Sequence, residues 1–289
     1  MLQHRQSNIP GTKACRYIFT ARGSFPSGGC PCFFHKHVLI PERSEEFTDV
    51  IRQRSRIFHR CEMSEEKKYH DQCYDTYDLF EPGSWLHKPV TTIINLINQY
   101  KDQEYISILD LGAGVGRNSI PIAESIKHRN GKVVCVDLLE SAIAKLMSYS
   151  QQFGVESYIV PILSDIEHFS IEPDEYDIIV AVSSLEHVSS AQVLEQKLSE
   201  MNAGTRAGGA NCIIIASNIR EMLLENKQEL DPMFEVNLST ERMIELLKRQ
   251  FAGWKIEQLI VKPLAFEINR NGQPVKLTSD CITFVAKKS

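Results

Sequence analysis

Apolar residues recur along the chain from about residue 87 in two alternating patterns. Val90, Ile93, Ile94 and Ile97 follow the i, i+3, i+4, i+7 spacing that predicts a helix with one apolar face. Beyond them, continuous apolar runs alternate with segments of helical period. The runs are 105–110, 132–137, 157–163, 176–182 and 211–217, and the helical segments are 117–129, 140–153, 189–202 and 240–251. Such alternation predicts a parallel sheet covered by helices.

The pattern changes at the end of the chain. Residues 254–268 and 274–288 have strand-like compositions, and the Asn271-Gly272 pair between them is a strong signal for a tight hairpin turn. We therefore expect an α/β fold of the Rossmann-like kind. Its seven-stranded sheet would be mostly parallel with an antiparallel C-terminal hairpin and helices on both faces. This domain is expected to span residues 101–289.

The N-terminal part differs from the rest. Residues 1–62 lack a sustained period, and the stretch GSFPSGGCPCFF within them is rich in turn formers. We expect a poorly structured extension there, followed by a helical, lid-forming segment over residues 63–100. A second hypothesis is that Met63 is the start of the native protein.

Composition excludes several classes of function. The formal net charge of −5 gives no general attraction to nucleic acid or to anionic membranes. No apolar run approaches the roughly 18 residues that span a bilayer, and no secretory signal is present at the N-terminus. We expect a cytoplasmic protein without a nucleic-acid or membrane partner, and no oligomeric state is predicted.

The cysteines indicate neither disulfides nor a metal site. Cys135, Cys212 and Cys281 each lie within an apolar run, where a buried, reduced thiol acts as a small hydrophobic residue. Cys30 and Cys32, with the histidines that follow them, lack the two paired ligand knuckles of a zinc site. No bound metal is expected.

Three glycines break the first predicted strand. Gly112, Gly114 and Gly116 lie between an apolar run and a helical segment, where a backbone without Cβ atoms can turn sharply and let a ligand approach the helix N-terminus. A dinucleotide site would place its third glycine at the position of Arg117, so a nicotinamide cofactor is disfavoured.

Acidic residues follow the next two predicted strands. Asp137, at the end of the second, suits the hydroxyl groups of a ribose. Asp165 follows the third strand, where a carboxylate can accept a hydrogen bond from the amine of adenine or cap a helix. Both alternatives stay open for Asp165.

The motifs ILDLGAGVGRN, VVCVD, SDIEHF and YDIIVAVSSLEHV, in this order, resemble those of class I S-adenosylmethionine-dependent methyltransferases over roughly residues 87–289. The stretch GAGVGRNS and the C-terminal tail are similar to the tellurite-resistance, TehB-type branch. The resemblance implies S-adenosylmethionine as cofactor, with its methionine end at the glycine loop, its ribose at the second strand and its adenine at the third. The cofactor-binding residues it implies are Asp110, Gly112, Gly114, Gly116, Asp137, Leu138, Asp165, Ile166 and Ser183.

The methyl acceptor is expected beyond the carboxyl ends of the strands, near SSLEHV at 183–188. Glu186 and His187 are the candidate catalytic residues, because either can take a proton from an acceptor. Alternatively, His187 packs beside the cofactor or caps the next helix. Methyl transfer can also proceed by alignment and exclusion of water alone, without a catalytic base.

Aromatic and polar residues flank the glycine loop in the sequence. Tyr77, Phe80, Trp85 and His87 are candidates either for a lid over the cofactor or for anchors that pack an N-terminal helix onto the core. Arg117 and Asn118 either contact a bound carboxylate or anionic acceptor, or form a solvated first turn of the helix.

The sequence thus predicts an S-adenosylmethionine-dependent methyltransferase that acts on a small molecule, with metalloid oxyanions such as tellurite and selenite as candidate acceptors. Two alternatives remain open. The acceptor is another small organic molecule, or the protein is a module that binds the cofactor without turnover.

Overall fold

The computed structural model describes residues 73–289 apart from positions 233 and 271. The extension predicted for residues 1–62, the candidate zinc ligands within it and the start proposed at Met63 lie outside the described residues. Of the predicted 63–100 segment, the part from residue 73 onward is described.

Helices and strands alternate as predicted through most of this region. The helices are α1 (Thr91–Asn98), α2 (Ser119–Ser125), α3 (Glu140–Gln152), α4 (Ala191–Gly204) and α5 (Thr240–Gln250). The strands are β1 (Tyr105–Leu111), β2 (Asn130–Asp137), β3 (Ile159–Leu163), β4 (Tyr176–Val182), β5 (Thr205–Leu223), β6 (Glu229–Leu230), β7 (Lys255–Arg270) and β8 (Gln273–Lys287). Single 3-10 turns lie at Trp85–His87, Glu156–Tyr158 and Leu185–His187.

Seven of these strands form one continuous sheet in the order β3-β2-β1-β4-β5-β8-β7, and the two-residue β6 pairs with β5 outside this path. Strands β1 to β5 run parallel to one another, whereas β8 is antiparallel to both β5 and β7. The strand order reverses between β1 and β4, where open α/β sheets bind their ligands. The predicted fold is confirmed, including the antiparallel hairpin, whose two-residue loop lies at positions 271 and 272 between the paired Arg270 and Gln273.

The two faces of the sheet bury separate apolar layers because alternate residues of each strand point to opposite sides. In β1, Ile106 and Ile108 join the cluster that contains residues of α1, α2 and α3. Leu109 and Leu111 join the other cluster, with residues of α4 and α5. Helices therefore cover both faces of the sheet. The polar side chains of the candidate site lie at the carboxyl edge of the strands.

Two predicted elements differ in length from the structure. The helix predicted over 117–129 is confined to α2, because residues 126–129 form turns that lead into β2. The strand predicted over 211–217 extends from 205 to 223 in β5. Its second half carries charged residues, and pairing with β8 up to the Leu223–Val275 pair keeps it extended.

Cys135 and Cys212 are fully buried, and Cys281 is partly buried, in agreement with the predicted apolar setting of these thiols. In the part of the chain that the structure describes, no helix is both long and apolar enough to cross a membrane.

Candidate active site

The glycine turn after β1 is shaped by backbone contacts that side chains would block. The N–H groups of Gly112 and Ala113 both donate to the carbonyl oxygen of Val136 in β2, at 2.8 and 3.0 Å. Gly112 has φ +75°, and a Cβ atom there would lie 2.4 Å from Cβ of Ser184. A side chain therefore cannot be accommodated without moving the end of β4.

Gly114, at the tip of the turn, has φ +55°, and an added Cβ would lie 3.0 Å from the hydroxyl oxygen of Tyr74. Its N–H donates to Oδ2 of Asp137 at 2.7 Å. The second carboxylate oxygen, Oδ1, accepts a 2.9 Å hydrogen bond from the N–H of Leu139. Asp137 therefore lies at the carboxyl edge, 8% exposed, and holds the turn in place.

Asp110 lies beneath the turn and is 1% exposed. The Ser119 hydroxyl donates to its Oδ2 at 2.6 Å, which joins the end of β1 to the start of α2. Burial raises the pKa of Asp110 to about 6, against the opposing effects of the Ser119 hydrogen bond and the Arg117 charge, and the Asp137 charge raises it further. Contact of Asp110 with the methionine end of a cofactor stays a prediction.

The ends of β2 and β3 expose apolar side chains. Leu163, at the end of β3, is 55% exposed and pairs in register with Asp137, at the end of β2. Leu138, which follows Asp137, is 42% exposed. Ile166 follows in the next loop and is half-buried. Exposed aliphatic groups beside the Asp137 carboxylate suit the flat face of a purine, and both the ribose contact of Asp137 and this purine contact stay predictions.

Asp165 uses part of its hydrogen-bonding capacity within its own turn. Its Oδ1 accepts from the N–H of Glu167 at 2.8 Å, and Oδ2 lies 3.6 Å from Nδ1 of His168. Asp165 thus caps a hydrogen-bonded turn over residues 166–168, not the helix considered from the sequence. A hydrogen bond from adenine to Oδ2 stays a prediction.

The two polar residues after the glycine turn hold the segment in front of α1. Arg117 donates from Nη1 to the carbonyl oxygen of Trp85 at 3.0 Å, and its guanidinium carbon lies 5.4 Å from the centre of the Trp85 ring. Oδ1 of Asn118 accepts a 3.0 Å hydrogen bond from the N–H of Val90. Burial lowers the pKa of Arg117, while the charges of Asp110 and Tyr74 oppose that shift.

The aromatic residues of this segment divide between covering the turn and packing on the core. The ring centres of Trp85 and Tyr74 are 6.1 Å apart, and the Tyr74 hydroxyl faces Gly114. Phe80 packs edge-on against Phe153, with ring centres 5.5 Å apart. Sequence reasoning missed Tyr74, because its contact with Gly114 joins residues that are distant in the sequence.

The end of β4 brings two serines to the switch point. Ser183 is exposed with φ +49°, and its N–H donates to the carbonyl oxygen of Ile214 at 2.8 Å. Ser184 is buried, and its hydroxyl donates to the carbonyl oxygen of Leu111 at 2.8 Å. Ser184 therefore fixes the distance between β4 and the glycine turn, a role that the spacing alone does not reveal.

The two candidate bases have different surroundings. Glu186 is 2% exposed, and its Oε1 accepts from the N–H of Ala216 in β5 at 3.2 Å, which favours an anchoring role. The His187 side chain is 26% exposed, and its Nδ1 lies 3.5 Å from Oε2 of Glu235. Its ring is also stacked against Phe234, with centres 5.4 Å apart. His187 is the more accessible of the two.

Comparison with known proteins identifies the domain that carries this site. Residues 108–209 match a family model described as a methyltransferase domain. This part of the chain is therefore similar to methyltransferase domains. S-adenosylmethionine is the cofactor that this similarity implies.

Curated relatives match this part of the chain. It is 33% identical over 105 residues to a ubiquinone biosynthesis O-methyltransferase of Hydrogenovibrio crunogenus, covering 36% of this chain and 41% of the relative. It is 26% identical over 136 residues to the protein-lysine N-methyltransferase EFM4 of Saccharomyces cerevisiae, covering 43% of this chain and 58% of that protein. The chain thus spans less than two thirds of the length of these relatives.

Among solved structures, the chain is similar to TehB from Haemophilus influenzae. The TM-score is 0.49 and the identity 17%, over 77% of this chain and 67% of that one.

The residues at the carboxyl edge fit S-adenosylmethionine. A Cβ atom at Gly112 would meet Ser184 and one at Gly114 would meet the Tyr74 hydroxyl, so this tight turn requires glycine at both positions. Asp137 lies beside the turn, and the exposed Leu138 follows it. We expect the glycine turn, the Asp137 carboxylate and the aliphatic surface to bind the methionine, ribose and adenine parts of the cofactor, respectively.

Proposed function

We propose that the protein transfers a methyl group from S-adenosylmethionine to a small-molecule acceptor at the carboxyl edge of the sheet. The observation that carries this proposal is the placement of the half-exposed His187 in the turn directly after β4, beside a glycine turn held by Asp137. The match of residues 108–209 to a methyltransferase domain supports the donor half of the reaction.

When bound, S-adenosylmethionine supplies a methyl group on a positively charged sulfur that is already a good leaving group. The chain then has to bind, align and exclude water. The glycine turn and Asp137 would fix the donor, whereas Trp85 and Tyr74 would cover it. His187 would accept a proton from acceptors that carry one.

Two classes of acceptor differ in whether the acceptor must lose a proton during methylation. A metalloid oxyanion such as tellurite or selenite reacts through the lone pair of its central atom and needs no base, so alignment suffices. A hydroxyl group must lose a proton as its oxygen is methylated. The accessible imidazole of His187 and the similarity to an O-methyltransferase favour the hydroxyl as the second candidate.

The proposal is tested by measuring S-adenosylhomocysteine formed by the purified full chain with potassium tellurite, sodium selenite or pyrocatechol. We expect product with at least one acceptor, and less product in Asp137→Ala when S-adenosylmethionine is below saturation. Binding of S-adenosylhomocysteine without turnover of any acceptor would instead support the cofactor-binding module and contradict a small-molecule methyltransferase.

His187→Ala separates the two acceptor classes. Loss of a general base should slow methylation of pyrocatechol by about 10²-fold or more and leave tellurite turnover within a few-fold of the parent. His128→Ala is the matched control, because His128 is an exposed residue in the turn before β2. An equal loss for both acceptors would mean that His187 only shapes the site.

A further inference from the structure

The segment between β6 and α5 is fastened to the carboxyl edge from two sides. The N–H of Val236 donates to the carbonyl oxygen of Glu186 at 3.1 Å, and the N–H of Asn218 donates to the carbonyl oxygen of Leu238 at 2.7 Å. Residues on both sides of position 237 are thereby held against the turn after β4 and against β5.

Asn237 strengthens this attachment with its side chain. Its Oδ1 accepts from the N–H of Ile219 at 2.9 Å, and its Nδ2 donates to the carbonyl oxygen of Ile219 at 2.8 Å. The two bonds reproduce those of a neighbouring strand. Hydrogen bonds to the backbone of β5 therefore fix the position of this segment. Its side chains are placed reproducibly as a result.

This attachment places Glu235 against His187. The Glu235 side chain is 7% exposed, and its Oε2 is the atom 3.5 Å from Nδ1 of His187. Among residues 73–289 with described placement, no donor makes a hydrogen bond to Oε2. A nearly buried carboxylate is costly unless a positive or hydrogen-bonding group compensates for it, and the imidazole is the group within reach.

Glu235 supplies a carboxylate 3.5 Å from Nδ1 of His187. Glu186, in the same turn, directs Oε1 to the N–H of Ala216, and its buried charge raises the pKa of Cys281 after the larger effect of burial. From the segment before α5, Phe234 contributes a ring stacked at 5.4 Å, and Glu235 contributes its carboxylate.

We propose that Glu235 is a positioning residue for His187: it holds the proton on Nδ1, so that Nε2 can take a proton from a hydroxyl acceptor. This inference rests on the proposed methyl transfer. A carboxylate on one ring nitrogen fixes the tautomer and stabilises the cation that forms.

The step balances without a further reactant. As the O–H proton passes to Nε2 of His187, an oxygen lone pair forms the new bond to the methyl carbon. The electron pair of the broken carbon–sulfur bond stays on sulfur. The products are the methyl ether, S-adenosylhomocysteine and an imidazolium beside the Glu235 carboxylate.

The direct test is nitrogen NMR of the full chain labelled with ¹⁵N-histidine, with S-adenosylhomocysteine present and His187→Ala used to assign the signal. In the parent we expect the neutral ring to carry its proton on Nδ1. In Glu235→Gln we expect a mixture of tautomers and a lower pKa of His187, because the negative charge beside Nδ1 is removed. Glu225→Gln, in an exposed turn, is the control and should change neither.

A His187 tautomer and pKa that are the same in Glu235→Gln as in the parent would overturn the inference, provided that calorimetry shows unchanged S-adenosylhomocysteine affinity. If that affinity were lost, the same NMR comparison with Glu235→Asp would decide, because the shorter carboxylate should retain the Nδ1 tautomer in part. Failure of the Nδ1 tautomer to predominate there would equally contradict the role.

A kinetic measurement separates this inference from the proposed function. With pyrocatechol, Glu235→Gln should lower kcat at least tenfold while KM for S-adenosylmethionine stays within about twofold, and tellurite turnover should be unaffected. If the parent turned over no acceptor, the proposed function would fail while the NMR comparison still decided the role of Glu235. An unchanged kcat with pyrocatechol would contradict Glu235 alone.

Discussion

Two carboxylates at the carboxyl edge have opposite surroundings. Asp137 is 8% exposed and accepts hydrogen bonds from the N–H groups of Gly114 and Leu139, which hold the glycine turn. Asp110, on the neighbouring strand, is 1% exposed and accepts a hydrogen bond from the Ser119 hydroxyl, which joins β1 to α2. Burial raises the pKa of Asp110 to about 6.

Asp137→Ala should weaken S-adenosylhomocysteine binding by about 1–3 kcal/mol, because ribose hydroxyls and the Gly114 N–H would lose a shared acceptor. Calorimetric titration gives the affinity. Asp137→Asn, which keeps one acceptor oxygen, should lie between the alanine variant and the parent. Affinity unchanged in Asp137→Ala would remove this residue from the site.

Asp110 makes stability depend on pH in a defined direction. Its ordinary pKa is 3.8 and its folded pKa is about 6, so the unfolded chain loses this proton first as the pH rises. The stabilisation that Asp110 contributes is fully present below pH 3.8. It decreases by about 3 kcal/mol as the pH rises past about 6.

Asp110→Asn removes this dependence and retains an acceptor for Ser119. The free energy of unfolding of the variant minus that of the parent should be about 3 kcal/mol larger at pH 8 than at pH 4, as measured by urea denaturation. Asp102→Asn, at an exposed position, should show no such difference. A constant gap between Asp110→Asn and the parent would contradict a raised pKa.

At the scale of the element, the turn between β1 and α2 combines a left-handed backbone with close approach to β4. Gly112 has both features, whereas Gly253, after α5, has φ +85° and no atom within 4 Å of an added Cβ. Substitutions at these two glycines therefore distinguish the cost of a left-handed backbone from the cost of a steric clash.

Gly253→Ala should cost about 1 kcal/mol of stability from the backbone alone. Gly112→Ala should cost several-fold more and abolish S-adenosylhomocysteine binding, because its Cβ would meet Ser184 at 2.4 Å. Thermal denaturation and calorimetry give both quantities. Equal destabilisation by the two substitutions would show that Ser184 moves aside freely.

The elements that follow the sheet differ in how far the sequence could predict them. The parallel strands and the helices that alternate with them could be predicted, because each strand is an apolar run that is buried on both faces. The second half of β5 does not, because its stability comes from pairing with β8 and from the 2.6 Å ion pair between the buried Glu221 and Arg270 of β7. Contacts between residues so distant in sequence leave no local pattern.

At the scale of the whole molecule, the same limit applies to the site. The glycine turn and Asp137 lie on successive strands and follow a familiar spacing, so their proximity could be predicted. Glu235 reaches His187 because the segment before α5 folds back over the switch point. Tyr74 reaches Gly114 from a part of the chain about forty residues away. These contacts are therefore made by tertiary structure.

We propose above all that the carboxyl edge of this sheet binds S-adenosylmethionine. Calorimetric titration of the purified full chain with S-adenosylhomocysteine and, separately, with NADH tests it most directly. We predict saturable one-to-one binding of S-adenosylhomocysteine and no heat from NADH. Binding of NADH instead, or of neither molecule, would contradict the assignment of the glycine turn and Asp137 to this cofactor.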